Sequence, residues 1–158
     1  MGMPTIRKRL AIFLLLIPAI AFAQTAAEMD ALLEAETVIA AVLARFVFGA
    51  ADLLPPELSG PEAEKAAYDM AVSNGWVKTS GDESSTLKNT AFLVMQAFDL
   101  KGGVLYSLFG NPRYAYREMI YQKIITGHAD QNMMVTGQGF LQILDRVISY
   151  TAGREDNL

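Results

Sequence analysis

The fold of this chain is decided by a stretch that occurs twice, first as EAEKAAYDMAVSNGWVKTSGDESSTLKNTAFLVMQAF at residues 62–98 and again as GNPRYAYREMIYQKIITGHADQNMMVTGQGFLQILDR at residues 110–146. The two copies align without a gap at an offset of 48 positions. The alignment keeps the apolar positions and one loop aspartate, which is Asp82 in the first copy and Asp130 in the second. A repeat at this period indicates that one supersecondary unit is used more than once.

Each copy predicts two helices joined by a short polar loop. In the second helix of each copy, apolar residues fall on one face, and Phe92 and Phe140 take matching places on it. Ser59 and Glu62 have the spacing of a capping box at the start of the first copy, and Gly75 follows its first helix as a stop. Neither helix can bury its apolar face alone, so we expect the units to stack on one another.

One further helical segment precedes the two copies. Thr25 and Glu28 again have capping-box spacing, and apolar periodicity continues from there to about Leu53, where two prolines follow. Thr37 could divide this long helix in two, in which case its second half would match the second helix of each copy. The chain would then contain between two and three copies of the unit.

The segment that links the two copies, residues 104–110, is unusually apolar for a loop, so we expect it to pack on the core. No part of the chain alternates between apolar and polar residues over the length of a strand, and only residues 76–77 and 124–125 could pair as very short extended pieces. We therefore predict an all-α fold, a bundle of about five to six helices built from two to three helix-loop-helix pseudo-repeats.

The amino terminus has the three parts of a secretory signal peptide. Three basic residues, 7–9, precede an apolar run at 10–20, and a small-x-small cleavage site follows at 21–23. The apolar run is too short to span a bilayer comfortably, so we predict cleavage rather than a retained anchor. The mature protein is expected to begin at Gln24 and to be exported, either to a periplasm or to the extracellular space.

The remainder of the chain has the composition of one domain. After the signal peptide at 1–23, residues 24–152 are predicted to form the helical repeat domain, and residues 153–158 a flexible tail. Without the signal peptide the chain has 10 basic and 17 acidic residues, a formal net charge of −7, which argues against nucleic acid or anionic lipid as a partner. The absence of cysteine excludes disulfides, a lipidated cysteine and thiolate metal sites.

The pattern of a helix, an apolar pair, a loop with glycine and aspartate, and an apolar second helix resembles the S-layer homology repeat. The resemblance is carried in the second copy by residues 124–130, IITGHAD, followed by 135–136, VT. In the first copy it is carried by residues 75–82, GWVKTSGD, followed by 86–87, TL. It extends over roughly residues 37–149, and it implies stacked helix-loop-helix units that bind a cell-wall polysaccharide.

The chain departs from that family at the residues that help to bind the polysaccharide. Where the family has an arginine and an acidic residue, this chain has Gly137 and Gln138 in one copy and Lys88 and Asn89 in the other. The resemblance therefore implies the fold more directly than the ligand. The run 102–117 also resembles a run in small exported spirochaete proteins, and that second resemblance implies no activity.

Few residues of the chain are suited to catalysis. His128 is the only histidine, and no nucleophile motif lies near it. The loops with Asp82 and Asp130 lack the alternating oxygen ligands and the closing glutamate of an EF-hand, so we interpret these aspartates as structural caps. Gly102 and Gly103 are not followed by the lysine and hydroxyl residue of a phosphate-binding loop. We therefore expect a protein that is not an enzyme, holds no metal and needs no cofactor.

One stretch, residues 106–121, combines aromatic and basic residues within an otherwise acidic chain. Its candidate partner-binding residues, which we call the aromatic–basic cluster, are Tyr106, Arg113, Tyr114, Arg117 and Tyr121. Aromatic faces and guanidinium groups suit a saccharide polymer, a peptide or a protein partner. The alternative is that Tyr116 and Ile120 belong to the core and that Tyr114 and Tyr121 are partly buried. In that case the arginines would pair with Asp69, Asp99 or Asp145.

These observations favour a non-enzymatic, exported, envelope-associated binding module that contacts a cell-wall polysaccharide or peptidoglycan, or an envelope protein. The alternative function is a structural or accessory subunit of a periplasmic or outer-envelope protein assembly. The two functions differ in what the mature protein should bind. The first predicts binding to sheared cell wall, and the second predicts binding to a defined protein.

Overall fold

The computed structural model describes residues 26–127 and 130–155, and seven α-helices lie within these ranges. They are α1 (26–34), α2 (Ala40–Ala50), α3 (Gly60–Ser73), α4 (Leu87–Ala97), α5 (Val104–Phe109), α6 (Pro112–Tyr121) and α7 (Gly137–Glu155). No strand occurs among the described residues, which confirms the all-α prediction, although the helices are more numerous than predicted. The predicted signal peptide, His128 and residues 156–158 lie outside the described ranges.

The helical segment predicted to run to about Leu53 is divided in two. α1 ends at residue 34, and α2 begins at Ala40, so the break lies where Thr37 was expected to divide the helix. The hydroxyl groups of Thr37 and Ser84 share a hydrogen bond of 2.8 Å, which ties this break to the loop before α4. The capping box predicted at Ser59 does not form, because its side chain makes no capping bond and α3 begins directly with Gly60. None of the described helices is both long enough and apolar enough to cross a membrane.

Four helices end in the same way. After α2, α3, α4 and α6 the chain passes through one residue with positive φ, namely Asp52, Gly75, Asp99 and Lys123. The next residue is apolar, and its N–H donates to the C=O five positions earlier at 2.8–2.9 Å, in the pairs Leu53–Phe48, Trp76–Ala71, Leu100–Met95 and Ile124–Met119. This is the Schellman motif, whose apolar residue packs back on the helix. The motif explains why Trp76 and Ile124 are apolar. Residues 76–77 and 124–125, which could have paired as short extended pieces, form these helix endings instead.

The N-termini of α2, α4 and α7 meet at a ring of backbone hydrogen bonds. The N–H of Val38 donates to the C=O of Val135 (2.9 Å), the N–H of Val135 to the C=O of Ser85 (3.0 Å), and the N–H of Ser85 to the C=O of Val38 (2.8 Å). A second ring joins the same segments, with bonds of 2.9 Å from Ala40 to Glu83, from Leu87 to Met133 and from Gly137 to Ala35. All three residues of the first ring are buried. Three distant parts of the chain are therefore held at one buried junction.

The main helix contacts do not follow the two sequence copies. α3 packs chiefly on α2, and α6 chiefly on α4, so the two helices of one copy are not each other's main partners. Phe92 and Phe140 are both buried, as expected. However, α4 and α7 begin 50 positions apart, at Leu87 and Gly137. The offset of 48 therefore holds as far as Val77 and Ile125, whose N–H groups donate to Ala71 and Met119 in the same way. Beyond them, the loop of the second copy is two residues longer.

The apolar linker was predicted to be a loop that packs on the core, and this prediction is wrong. It contains α5, a six-residue helix in which only Tyr106 is buried. The other apolar side chains are exposed, namely Val104, Leu105, Leu108 and Phe109. A helix of fewer than two turns can direct few side chains towards one neighbour, so most of this apolar surface meets solvent. At the other end of the chain, α7 continues to Glu155, which is three residues into the segment predicted as a flexible tail.

Candidate functional site

The fold brings most of the aromatic–basic cluster together on α5 and α6. Asn111 caps α6 by accepting the N–H of Tyr114 at 3.2 Å, and Pro112 follows in the first turn. Arg113, Arg117 and Tyr121 are spaced by four residues and therefore follow one face of this helix. Four of the five predicted residues line a surface depression of about 250 Å³, namely Tyr106, Tyr114, Arg117 and Tyr121. Arg113 is exposed but does not belong to its lining.

Tyr106 differs from the rest of the cluster because it is buried, with 9% of its surface exposed. Its hydroxyl accepts a hydrogen bond of 2.7 Å from the side chain of Gln96. Burial raises the pKa of Tyr106 above its usual range, the bond from Gln96 opposes this, and the charge of Asp99 adds to the rise. A Cβ atom at Gly102 would lie 2.4 Å from the Tyr106 ring, so this glycine makes room for it. Tyr106 therefore anchors α5 on α4 and offers a partner only part of its ring.

The other members of the cluster are more accessible. Tyr114 stacks on Phe109, with ring centroids 5.2 Å apart and ring planes 21° apart, and Tyr121 is 83% exposed. Asp69 pairs with Lys65 and Asp99 with Lys101, so neither serves the arginines as the alternative interpretation supposed. Among the described residues, the ion pairs found do not include Arg113 or Arg117. Partner binding by the cluster stays a prediction.

A second concave site, which we call the Trp76 pocket, lies between α2, α4 and the start of α6. Its volume is about 190 Å³, and residues 75–79, 110–112 and parts of both helices line it. Trp76 is half-buried and packs edge-on against Phe48, with centroids 5.7 Å apart and planes at 76°. Phe92 adds a second aromatic side chain to the lining. The Schellman ending of α3 positions Trp76, because the N–H of this residue is bonded to Ala71.

Several polar groups of this pocket are free to meet a ligand. Lys78, Thr79, Asn89 and Asn111 belong to its lining. The side-chain oxygen of Asn111 already accepts the N–H of Tyr114, which leaves its amide nitrogen as the group that could donate to a ligand. Lys78 is the one ionisable side chain among the lining residues, so the pocket suits a neutral or an anionic ligand.

Sequence reasoning did not identify the Trp76 pocket. Its walls come from four separate segments, and each of these segments has an ordinary structural explanation by itself. The signal that could have pointed to it is the single tryptophan of the chain, which is followed within two positions by an exposed lysine, Lys78. A large aromatic residue beside polar residues in a loop is a common feature of binding surfaces.

The two loop aspartates bond within their own turns. Asp82 accepts a hydrogen bond from the hydroxyl of Ser80, and this bond holds the pKa of Asp82 below its usual value. Asp130 accepts the N–H of Asn132 at 2.8 Å. These contacts agree with the interpretation of both aspartates as structural caps. In the described part of the chain, no group of three or more histidine, cysteine, aspartate and glutamate residues could hold a metal ion.

Three comparisons with known proteins gave no relative of this chain. A scan with protein-family models, a search of curated proteins and a search of solved structures each found no match. The Trp76 pocket and the depression of the aromatic–basic cluster share no lining residue and are therefore separate surfaces.

Proposed function

We propose that this chain is a non-enzymatic, exported binding module of the cell envelope, and that the Trp76 pocket holds one sugar residue of a cell-wall polymer. The observation that carries the proposal is the composition of this pocket, in which Trp76 and Phe92 lie together with Lys78, Asn89 and Asn111. The apolar C–H face of a sugar ring packs on an aromatic side chain, and its hydroxyl groups bond to amides and hydroxyls. An ammonium group in the same lining suits a carboxylate or phosphate substituent.

The size of the pocket supports a single sugar residue rather than a longer segment. Its volume of about 190 Å³ is below the range of about 300–1,000 Å³ that is typical for sites of drug-sized ligands. Gly75, Lys78 and Gly110, at its edge, are exposed, so the rest of a polymer could continue into solvent.

The proposal includes a fold of three helix-loop-helix pseudo-repeats, whose second helices are α2, α4 and α7. The two hydrogen-bonded rings support it, since each of the three segments gives one N–H and one C=O to each ring. The shared Schellman endings of α3 and α6 support it as well. Together with the signal-peptide pattern, the resemblance to the S-layer homology repeat is the reason for assigning the module to the cell envelope.

The proposal is tested by binding of the mature chain, residues 24–158, to purified cell-wall sacculi in a pelleting assay. The variant Lys78→Ala with Asn89→Ala removes two polar groups of the pocket and should weaken retention by at least about tenfold. Lys65→Ala is the matched control, because Lys65 is an exposed lysine on α3 outside this pocket, and it should bind like the unaltered chain. Thermal unfolding of both variants checks that the fold is kept.

Two results would count against the proposal in different ways. If the double variant binds sacculi as tightly as the Lys65→Ala control, the Trp76 pocket is not the site. If the unaltered chain itself stays in the supernatant, the cell-wall function is wrong. Trp76→Ala is less suited to this test, because loss of the ring contact with Phe48 would also change stability.

A further inference from the structure

α5 is attached to α4 and α6, although most of its apolar side chains are exposed. Tyr106 anchors it through burial and the bond from Gln96. The backbone N–H of Gly103, at its start, donates to the carboxylate of Glu118 on α6 at 2.9 Å. Nevertheless Val104 is 82% exposed, and Leu108 is 70% exposed. Large aliphatic side chains held rigidly in water are typical of a surface that another molecule covers.

The exposed apolar side chains of α5 are continuous with the basic row of α6. The depression between the two helices is lined by Val104 and Leu105 on one side and by Arg117 and Tyr121 on the other. Arg113 lies one turn before Arg117 on the same face of α6. The ion pairs found among the described residues leave both guanidinium groups available. One surface therefore combines aliphatic side chains with the positive charges of Arg113 and Arg117. The carboxylate of Glu118 also lines the depression, where it accepts the N–H of Gly103.

We propose that this surface, formed by the exposed side chains of α5 and by Arg113 and Arg117 of α6, docks an acidic, amphipathic segment of another protein. Apolar residues of the segment cover Val104 and Leu108, and its carboxylates pair with the two arginines. Arginine is suited to this role because its planar group binds a carboxylate through two parallel hydrogen bonds. An amphipathic helix or extended segment that lies along a groove is a common mode of such recognition. The inference does not depend on the Trp76 pocket.

Charge and exposed apolar surface separate this occupant from three others. A second copy related by a two-fold axis would bring two rows of arginines together, and the one carboxylate in the depression, Glu118, already accepts from Gly103 and Gln122. An anionic membrane is repelled by the mature chain as a whole, which carries a formal net charge of −7 from 10 basic and 17 acidic residues. A saccharide could stack on the exposed ring of Tyr121, but it would leave the aliphatic side chains of Val104 and Leu108 in water. A segment with both apolar and acidic residues can cover the aliphatic side chains of α5 and also pair with the arginines of α6.

The test is selection of peptides from a displayed library of random 15-residue sequences on the immobilised mature chain. The enriched peptides should carry an excess of aspartate and glutamate beside leucine, isoleucine or phenylalanine. A synthetic peptide from this set should bind at least about tenfold more weakly to Arg113→Glu with Arg117→Glu. Selection on that charge-reversed variant should instead enrich lysine and arginine. Leu108→Asp should lower the enrichment of peptides in both selections. Lys65→Glu, on α3, is the charge-matched control and should change neither enrichment.

Several results would overturn the inference. Failure to enrich any peptide, or enrichment without an acidic bias, would show that the surface is not a site for an acidic segment. Retention of the chain on phosphatidylglycerol vesicles, lost in Leu108→Asp, would assign the surface to a membrane. A dimer in sedimentation velocity that the same variant dissociates would assign it to a second copy. Thermal unfolding of each variant shows whether the fold is intact, and all substituted side chains are exposed.

Discussion

Gly137→Ala should detach α1 from the junction where α2, α4 and α7 begin. Gly137 is the first residue of α7, and its N–H donates to the C=O of Ala35 at 2.9 Å. A Cβ atom added there would lie 1.5 Å from the backbone oxygen of Leu32 and 2.7 Å from its carbonyl carbon. The obstacle is backbone rather than the end of a flexible side chain, so α1 has to move.

The magnitude follows from what α1 loses when it moves. Leu32 is 4% exposed, and burial of a leucine side chain stabilises a protein by about 1.5–3 kcal/mol. The bond between Gly137 and Ala35 adds about 0.5–1.5 kcal/mol, and the partly exposed ion pair of Glu28 with Arg45 adds about 0–1 kcal/mol. Because partial movement would preserve some of these contacts, we expect a net loss of about 2–4 kcal/mol.

The assay is urea unfolding of the mature chain, followed by far-ultraviolet circular dichroism. Gly49→Ala is the matched control, since Gly49 is also helical and a Cβ atom there meets nothing within 4 Å. The control should be neutral or more stable by up to about 1 kcal/mol. Hydrogen exchange should also quicken in residues 26–35 of Gly137→Ala and not in α3. A loss below about 0.5 kcal/mol, with unchanged exchange in α1, would refute the packing described for α1.

Three further predictions concern single side chains. Phe140→Ala and Phe92→Ala should each lower the free energy of unfolding in urea by about 3–5 kcal/mol, because both rings are buried. A loss below about 1 kcal/mol at either position would contradict the burial of that ring. Asn111→Ala should cost about 1 kcal/mol through loss of the α6 cap, and unchanged stability would mean that this cap is unimportant. Burial raises the pKa of Tyr106 in the folded state. The stability that comes from its neutral hydroxyl is therefore present below about pH 10 and is lost as the pH rises further. Between about pH 9 and 11, the unfolding free energy of Tyr106→Phe should fall less than that of the unaltered chain. Equal slopes for the two chains would show that Tyr106 does not titrate as described.

Local signals in the sequence were sufficient to predict the described helices other than α5, and several of their ends. The stop predicted at Gly75 follows from the ability of glycine to adopt a positive φ. α5 was not predicted, because an apolar run of this length between glycines has no helical periodicity to detect. The gap-free alignment also missed the longer loop of the second copy, since matched letters in α4 and α7 concealed a shift of register.

Non-local contacts were the part that the sequence could not supply. The hydrogen-bonded rings consist of backbone groups, such as those of Val38, Ser85 and Val135. Backbone hydrogen bonds do not require particular side chains, so the sequence gives no signal for them. The aromatic–basic cluster was found because its aromatic and basic residues lie close together in an otherwise acidic sequence. α6 then places Arg113, Arg117 and Tyr121 on one face. The Trp76 pocket was missed because its lining depends on how α2, α4 and the start of α6 approach one another.

The most direct test of the proposed function is retention of the unaltered mature chain on purified sacculi at low and at high salt, with solubilised envelope proteins as a parallel sample. Aromatic stacking and hydrogen bonds are screened little by salt, whereas the contact of Lys78 with an acidic substituent is screened, so the protein should pellet with sacculi at both concentrations and less completely at high salt. If it stays in the supernatant at both, the proposed binding of a sugar residue in the Trp76 pocket is contradicted.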